Sequence, residues 1–370
     1  DAWEDTKMTN PYAGVKNPYA DMENVYEDQT VDLKAAEFEK EQSQQAMSNI
    51  MQNMQGAAGG SGIVTVQGTG GGSAGNHQRG VSVQGTVTSS GGNVTVTGGG
   101  GGTGSSAHNF GVLVNHGGTV TAGGTGSVTV TGTGGGGAGN NNYGVNVVHA
   151  DSQITSSGGD VTITGQGGGT GASGINVGVV VSSAARVAAG GDGTTRLNGT
   201  GGLVDGGSNH GISLWNENAI ITSAGGDVVL NGQGGGRGSS GNNAGIQMGG
   251  SPVLTAGSLG NVVLTGIGGT GTGNLNVGVS ISNNTVITSA GGDVTVTGQG
   301  GGSGTSSSNT GVVITTASTL SAGGTGTVTV TGTGGHGSGN NNHGVFLHGA
   351  NSITSTFTFT INPDFGGRSK

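Results

Sequence analysis

The sequence predicts an all-β protein: a right-handed parallel β-helix of nine coils of about 33 residues, preceded by an extended arm and an α-helix. Three observations support this fold class. Three short strand-like strings recur in a fixed order through residues 63–355, successive copies of the first lie 30 to 34 residues apart, and no helical apolar period separates them. Fixed periods of this length are typical of units that stack into a solenoid.

The composition excludes several classes of protein. Glycine supplies 90 of the 370 residues, but there are only four prolines and no Gly-X-Y period, which excludes collagen. The absence of cysteine excludes disulfides, thiolate metal sites and a cysteine nucleophile. The net charge of −9 argues against nucleic-acid binding, and no apolar run is long enough to insert into a membrane. We therefore expect no nucleic-acid partner, no membrane insertion and no cofactor.

A change in composition divides the chain. Residues 1–55 hold eleven of the nineteen acidic residues and five of the six methionines, whereas the chain beyond is largely Gly, Thr, Val, Ser and Asn. This break predicts four segments: an anchoring arm plus helix at 1–55, a glycine-rich linker at 56–62, the β-solenoid at 63–355, and a C-terminal cap or tail at 356–370.

The arm carries turns at its Asn-Pro pairs and is followed by a predicted helix over 32–55, with Asp32 as its N-cap. A helix with a narrow apolar stripe needs a partner. Two interpretations stay open: the helix docks on another protein or on sister copies, or it caps the open end of the solenoid. Its predicted anchoring face consists of Phe38, Met47, Ile50, Met51 and Met54.

Each coil contains three predicted strands, in which apolar residues alternate with Thr, Ser or Asn. The first string reads Val-Thr-Val-Thr-Gly at residues 94–98 and begins again at Val64, Val128, Val161, Thr195, Val228, Val262, Val294 and Val328. In one representative coil, the alternation predicts Val94, Val96, Val112, Val114 and Val120 facing inward and Thr95 and Thr97 facing outward.

One asparagine recurs in every coil but the first, two residues before the glycine that opens the second strand. Stacked identical amides hydrogen bond along a cross-β stack, and Asn tolerates the left-handed conformation that a corner needs. We therefore predict an asparagine ladder at a coil corner. Its members are Asn109, Asn142, Asn176, Asn209, Asn243, Asn276, Asn309 and Asn342, with Gln78 in the first coil.

The glycine-rich strings between the first and second strands, such as GQGGGTG and GTGGGGAG, are predicted to be extended and ordered. The few aliphatic side chains of a coil do not offset the entropy lost when its backbone is ordered. Backbone hydrogen bonds between successive coils must therefore contribute. Glycine permits this contact because a side chain would hold the stacked loops apart.

The N-terminal string TNPYAGVKNPYADMENVYEDQTVDLKAAEFEKEQSQQ resembles the N-terminal segment of structural proteins of aquatic tailed phages and related viral genomes, over about 60 residues. The repeats resemble the Gly-rich β-helix coils of phage tail fibres and of filamentous-haemagglutinin-like adhesins. Together these resemblances imply a non-enzymatic virion protein, a tail fibre or a capsid or tail projection. They imply that residues 1–55 bind other virion proteins, that the chain forms a homo-oligomer with a trimer as the candidate, and that the projection attaches to a cell-surface glycan.

Two alternatives from other classes stay open. The first is a secreted bacterial adhesin or a self-assembling extracellular filament subunit. The second is a glycan-cleaving tailspike, which would need two carboxylates about 5 to 9.5 Å apart. Only the fifth coil is irregular enough for such a site, and sequence drift in a solvated coil is favoured as the explanation of that irregularity. Its candidate residues are Arg186, Asp192, Arg196, Asp205, His210, Trp215 and Glu217.

Two further sets of residues are candidates for a binding or contact site. Asp160, Asp227 and Asp293 recur in every second coil, where turn capping is favoured over calcium binding because the same column also holds Asn, Ser and Thr. The residues just before the second-strand glycine, together with one tryptophan, form a candidate edge for contact with a receptor or another chain. The alternative is a packed shoulder beneath the glycine loops. The candidate edge is Phe110, Tyr143, His210, Trp215 and His343.

Overall fold

The computed structural model describes residues 29–34, 61–216, 218–354 and 356–362, with 29–34 and 356–362 described by their backbone alone. These residues form an all-β parallel solenoid of about nine turns, which confirms the predicted fold class. No helix occurs in these ranges, and hence none that could cross a membrane. Three sheets run along the solenoid, and each strand pairs in parallel with its equivalents in the neighbouring coils.

The first sheet has eleven strands and the other two have nine each. The first comprises Gln29–Lys34, Val64–Thr69, Val94–Gly99, Val128–Thr133, Val161–Gln166, Thr195–Thr200, Val228–Gln233, Val262–Ile267, Val294–Gln299, Thr327–Thr333 and Thr356–Asn362. The second comprises Val81–Val83, Val112–Val114, Val145–Val148, Val179–Ser182, Ile212–Trp215, Ile246–Met248, Val279–Ile281, Val312–Thr315 and Val345–His348. The third comprises Thr86–Ser89, Thr119–Ala122, Gln153–Ser156, Arg186–Ala189, Ile220–Ser223, Val253–Ala256, Val286–Ser289, Thr319–Ala322 and Ser352–Thr354.

The repeated strings stand in register throughout the first sheet. Val94 pairs with Val128, Val96 with Val130, and the glycine that ends the string with the next glycine. Because side chains alternate across a strand, this register places like residues on like faces of successive coils. The solenoid is therefore a stack of near-copies.

The interior is one continuous hydrophobic core contributed by all three sheets. The predicted inward residues of the representative coil are fully buried, and the outward Thr95 and Thr97 are half-buried between their neighbours in adjacent coils. Valine dominates because a β-branched side chain packs well on a pleated surface. Longer side chains such as Leu214 and Met248 fill the same columns in the middle coils.

Both ends of the first sheet extend beyond the repeats. The strand Gln29–Lys34 pairs in parallel with Val64–Thr69, so the predicted helix does not begin at Asp32. The free edge of the first coil offers unpaired backbone groups, and pairing with them overrides the local helical pattern. The remaining residues of that prediction, including Phe38, Met47, Ile50, Met51 and Met54, lie outside the described residues. At the other end, Thr356–Asn362 pairs with Thr327–Thr333 and continues the sheet.

Candidate functional site

The eight asparagines of the predicted column form a hydrogen-bonded ladder. In each of the seven links, the Nδ2 group of one asparagine donates to Oδ1 of the next, at distances of 2.8 to 3.3 Å. The first seven members are fully buried. The links run in order through Asn109, Asn142, Asn176, Asn209, Asn243, Asn276, Asn309 and Asn342.

The same side-chain oxygens also satisfy backbone donors. The backbone N–H of Asn142 donates to Oδ1 of Asn176 at 3.0 Å, and the N–H of Asn176 donates to Oδ1 of Asn209 at 3.0 Å. At the start of the solenoid, the N–H of Gln78 donates to Oδ1 of Asn109 at 3.0 Å, although glutamine stands in place of asparagine there. Each ladder oxygen of this kind thus joins two coils through two hydrogen bonds.

The second Nδ2 hydrogen alternates between two acceptors. Asn109 and Asn176 donate to a serine hydroxyl three residues earlier, Ser106 and Ser173 respectively, both at 3.1 Å. Asn142 donates instead to the Gly139 carbonyl at 2.6 Å. The same alternation continues along the ladder, with serine acceptors for Asn243 and Asn309 and glycine carbonyls for Asn209, Asn276 and Asn342. The acceptor therefore repeats every second coil, as Asp160, Asp227 and Asp293 do in the sequence.

The corner turns at the residue before each ladder position, and not at the asparagine as predicted. This residue has a left-handed backbone in all nine coils, with φ between 56 and 65°. Its occupants share no single side-chain type, although Asn and His, which tolerate this region, supply five of the nine. They are His77, His108, Asn141, Ile175, Ser208, Asn242, Leu275, Ser308 and Asn341. Ile175 is the most strained of them, because a β-branched residue is a genuine outlier in this region.

The glycine loops beside the ladder stack as predicted. The N–H of Gly169 donates to the carbonyl of Gly135 at 2.8 Å, and the N–H of Gly236 donates to that of Gly202 at 2.8 Å. A Cβ atom on Gly135 would overlap the carbonyl oxygen of Gly101 in the preceding coil. Glycine is therefore required where one loop backbone lies directly on the next.

Phe110 of the candidate contact edge is buried and Tyr143 is half-buried, which corrects that interpretation. Phe110 is 6% exposed and stacks on Tyr143 with ring centroids 5.1 Å apart, while the Arg79 guanidinium lies 5.5 Å from the Phe110 ring. The Tyr143 hydroxyl donates to Oδ1 of Asn141 at 2.8 Å, and burial raises the pKa of Tyr143 to about 12. These side chains form the packed shoulder that was the alternative interpretation.

His210 belongs to the same shoulder. It is 8% exposed, its Nδ1 accepts the backbone N–H of Ala244 at 3.1 Å, and burial lowers the pKa of His210 to about 4. The imidazole is therefore neutral near pH 7, with Nδ1 as the acceptor, and serves the packing of the corner. It cannot contact a receptor directly.

Trp215 and His343 are the exposed members of the candidate edge. Trp215 is 42% exposed, and its indole lies across Gly249 of the next coil, where a Cβ atom would come within 2.5 Å of Cζ3. In the last coil, His343 and His348 lie on either side of Phe346, with centroid distances of 5.5 and 6.1 Å. Phe346 is 40% exposed.

The fifth-coil residues considered for a tailspike site are spread around the solenoid. Arg186 lies on the third sheet, Arg196 on the first and Trp215 on the second, while Asp205 pairs with Arg237 at 3.3 Å on the surface. Glu217 lies outside the described residues. Because Arg186, Arg196 and Trp215 belong to three different sheets, these candidates do not come together in one site.

The recurring aspartates accept hydrogen bonds from the backbone of the next coil, so they link coils and do not cap their own turns. Oδ1 of Asp160 accepts the N–H of Thr194 at 2.8 Å, and Oδ1 of Asp293 accepts the N–H of Thr327 at 2.7 Å. Within the described ranges, no three His, Asp or Glu side chains come together as a metal site.

No protein-family model, curated protein or solved structure matches the chain.

Proposed function

We propose that this chain is a non-enzymatic structural protein of a virion, a tail fibre or a capsid or tail projection, in which a right-handed solenoid forms the projecting rod. Right-handed winding follows the strong preference of crossover connections between parallel strands. At about 4.8 Å per coil, nine coils give a rod of roughly 43 Å. Residues 1–55 anchor the rod to other virion proteins, and the free part attaches the particle to a host surface.

The observation that carries the proposal is the unbroken asparagine ladder. Seven consecutive side-chain links run through buried positions from Asn109 to Asn342. Each coil contacts only its neighbours, so the ladder and the stacked loops hold all coils at one spacing. A uniform stack of coils suits a rigid spacer, because the hydrogen bonds that hold the coils together do not depend on a bound partner.

The anchoring role is supported by where the arm meets the rod. The strand Gln29–Lys34 pairs at the N-terminal edge of the first sheet. This strand belongs to the acidic, methionine-containing part of the chain, which differs in composition from the coils. We propose a homo-oligomer, with the trimer as the candidate, formed through this part.

A filament subunit outside the virion is the second candidate, and one observation favours it. Leu347 is in register with the fully buried Ile314 but is 44% exposed. The last described coil therefore presents an apolar residue of the inward-facing column. Rods that stack end to end would cover it.

Cross-linking of purified particles tests the proposal. Four of the five lysines lie at positions 7, 16, 34 and 40, so an amine-reactive reagent reports almost entirely on the arm. We expect cross-links from these lysines to other virion proteins. Cross-links only between copies of this chain would reject the anchored projection and favour the filament. Loss of polysaccharide on incubation, abolished by Glu217→Gln, would instead identify a tailspike.

A further inference from the structure

The outer faces of the sheets differ in their aromatic content. Among the residues whose side chains the structure describes, every Phe, Tyr and Trp lies on the second sheet or at the corner that leads into it. These are Phe110, Tyr143, Trp215 and Phe346. The equivalent outward column of the first sheet is mostly threonine: Thr65, Thr95, Thr129, Thr162, Arg196, Val229, Val263, Thr295 and Thr329. Phe110 and Tyr143 are packed into the shoulder, so the aromatic rings that this sheet exposes are those of Trp215 and Phe346.

Trp215 is held on this face by an adjacent glycine. Trp215 follows Leu214, and Gly249 occupies the corresponding place after Met248, the residue paired with Leu214. A side chain at Gly249 would overlap the six-membered ring of the indole. The missing side chain thus lets the ring lie against the next coil while 42% of the residue stays exposed.

Uncharged polar residues occupy nearby positions of the chain and of the next two coils. Asn216 and Asn218 are exposed at the following corner, with φ values of 60 and 54°. Gln247 lies on the next strand, and the Ser282 hydroxyl lies beside Gly249 in the coil after that. Amides donate and accept hydrogen bonds, and a hydroxyl does both. These positions therefore supply amides and a hydroxyl that match the hydroxyls of a sugar.

We propose that Trp215 and Gly249 form a carbohydrate subsite that binds a neutral sugar ring of a surface polysaccharide. The apolar C–H face of the sugar packs on the indole, and its hydroxyls bond to the neighbouring amides and the Ser282 hydroxyl. A protein-docking surface would present a larger contiguous apolar patch, whereas Trp215 stands among polar groups. The subsite deepens the proposed attachment role, but its chemistry does not depend on how the rod is anchored.

The test uses the full chain with Trp3→Phe, which leaves Trp215 as the only tryptophan. Its emission is followed while hexasaccharides of β-1,4-glucose, α-1,4-glucose or β-1,4-N-acetylglucosamine are added to millimolar concentration, with oligogalacturonate as the acidic contrast. We expect a saturable shift of emission with at least one neutral oligosaccharide. Gly249→Val should weaken that binding about tenfold or more, because the valine side chain would displace the indole from its position against Gly249.

Two further variants keep the test decisive if Gly249→Val does not fold. Trp215→Ala only shortens an exposed side chain and should abolish retention on a resin of the same sugar. Phe346→Ala, which removes an exposed ring that has no glycine beneath it, should change retention less than about twofold. Unchanged melting temperatures would show that both variants are folded.

Three outcomes would overturn the subsite: no saturable shift with any neutral oligosaccharide, binding only to the acidic one, or full retention by Trp215→Ala. A shift that appears without sugar as the chain concentration rises would assign the ring to a contact between copies and would also overturn it. All measurements use the purified chain. The subsite can therefore fail while the arm still cross-links to virion proteins, and the converse also holds.

Discussion

The asparagine corner and the outer face of the second sheet lie next to each other, but residue types repeat at the corner and vary on the face. At the corner, one residue type recurs in eight coils, and each side chain bonds to the next copy of itself. Four residues further along the chain, the outward column of the second sheet shows no such repetition. It reads Ser82, Leu113, Asn146, Val180, Ser213, Gln247, Ser280, Val313 and Phe346.

The difference shows what repetition means in a solenoid. A position repeats when its nearest neighbours are its own equivalents in the coils above and below, because one side chain must then fit itself. A position is free to vary when its packing places few demands on it, as in the outward column of the second sheet. Repeated positions therefore maintain the rod, and recognition belongs to the variable face. The following changes test this division, from the largest expected effect to the smallest.

Asn243→Ala should be the most destabilising change. It removes the acceptor used by the backbone N–H and Nδ2 of Asn209 and the donor to Oδ1 of Asn276. Each buried polar group left without a partner costs about 1 to 3 kcal/mol, so we expect a loss of roughly 3 to 5 kcal/mol. Urea denaturation measures it. Gln247→Ser in the same coil should cost less than about 0.5 kcal/mol, and equal losses for the two variants would reject the division.

His210 should make stability depend on pH. Burial lowers the pKa of His210 in the folded chain to about 4, from an ordinary value near 6.5. As pH falls below about 6.5, the unfolded chain binds a proton that the folded chain does not, so stability is lost until about pH 4. The loss should be roughly 3 kcal/mol. His210→Val, which copies Val177 and Val277 in the same column, should remove this part of the dependence.

His77 and His108 also have lowered pKa values, chiefly through burial, and act in the same direction. The decisive quantity is therefore the difference between the wild-type chain and His210→Val in thermal melts between pH 7 and pH 4. A parallel fall of both curves would show that His210 is not the buried group responsible.

Gly135 and Gly136 form a matched pair of adjacent glycines. A Cβ on Gly135 would overlap the Gly101 carbonyl, whereas the nearest atom to a Cβ on Gly136 is 3.9 Å away. Gly135→Ala should destabilise the chain by about 1 to 3 kcal/mol through overpacking. Gly136→Ala should be neutral or slightly stabilising, because alanine restricts the unfolded chain. Thermal melts of the two variants compare them, and equal melting temperatures would mean that the loops do not stack in solution.

Ile175→Asn should stabilise the chain by about 1 kcal/mol. Ile175 has a left-handed backbone with φ of 56° while its side chain is 41% exposed, so asparagine relieves strain and loses little burial. Asn141, Asn242 and Asn341 already occupy this column. Leu259→Asn is the control, since Leu259 is 80% exposed and lies outside the left-handed region. A higher melting temperature for Leu259→Asn than for Ile175→Asn would contradict the assignment of the corner.

The sequence was informative where coils stack on themselves. The Val-Thr alternation and the asparagine column recur at one period, and that period alone fixes which residues pair. The left-handed column escaped prediction because residues as different as His77, Ile175 and Ser308 share only a backbone conformation. Asp32 was misread because a free sheet edge recruits the strand Gln29–Lys34 regardless of its local pattern.

The candidate site was harder to predict than the fold for the same reason. Trp215 was a candidate because the chain has only two tryptophans. The position of its indole depends on Gly249, which lies 34 residues away and is one glycine among 90. Phe110 and His210 occupy the same kind of position in the repeat as the exposed His343, and only packing against neighbouring coils buries them. Whether a side chain at this position is exposed therefore depends on the coils stacked next to it.

Cryo-electron microscopy of the native particle or filament that carries this chain tests the central proposal most directly. We predict that residues 10–55 will be ordered against a different protein and that the ladder-bearing rod will point outward from that contact. Rods joined end to end through their own arms, with no other protein at the junction, would contradict the anchored projection and identify the chain as a filament subunit.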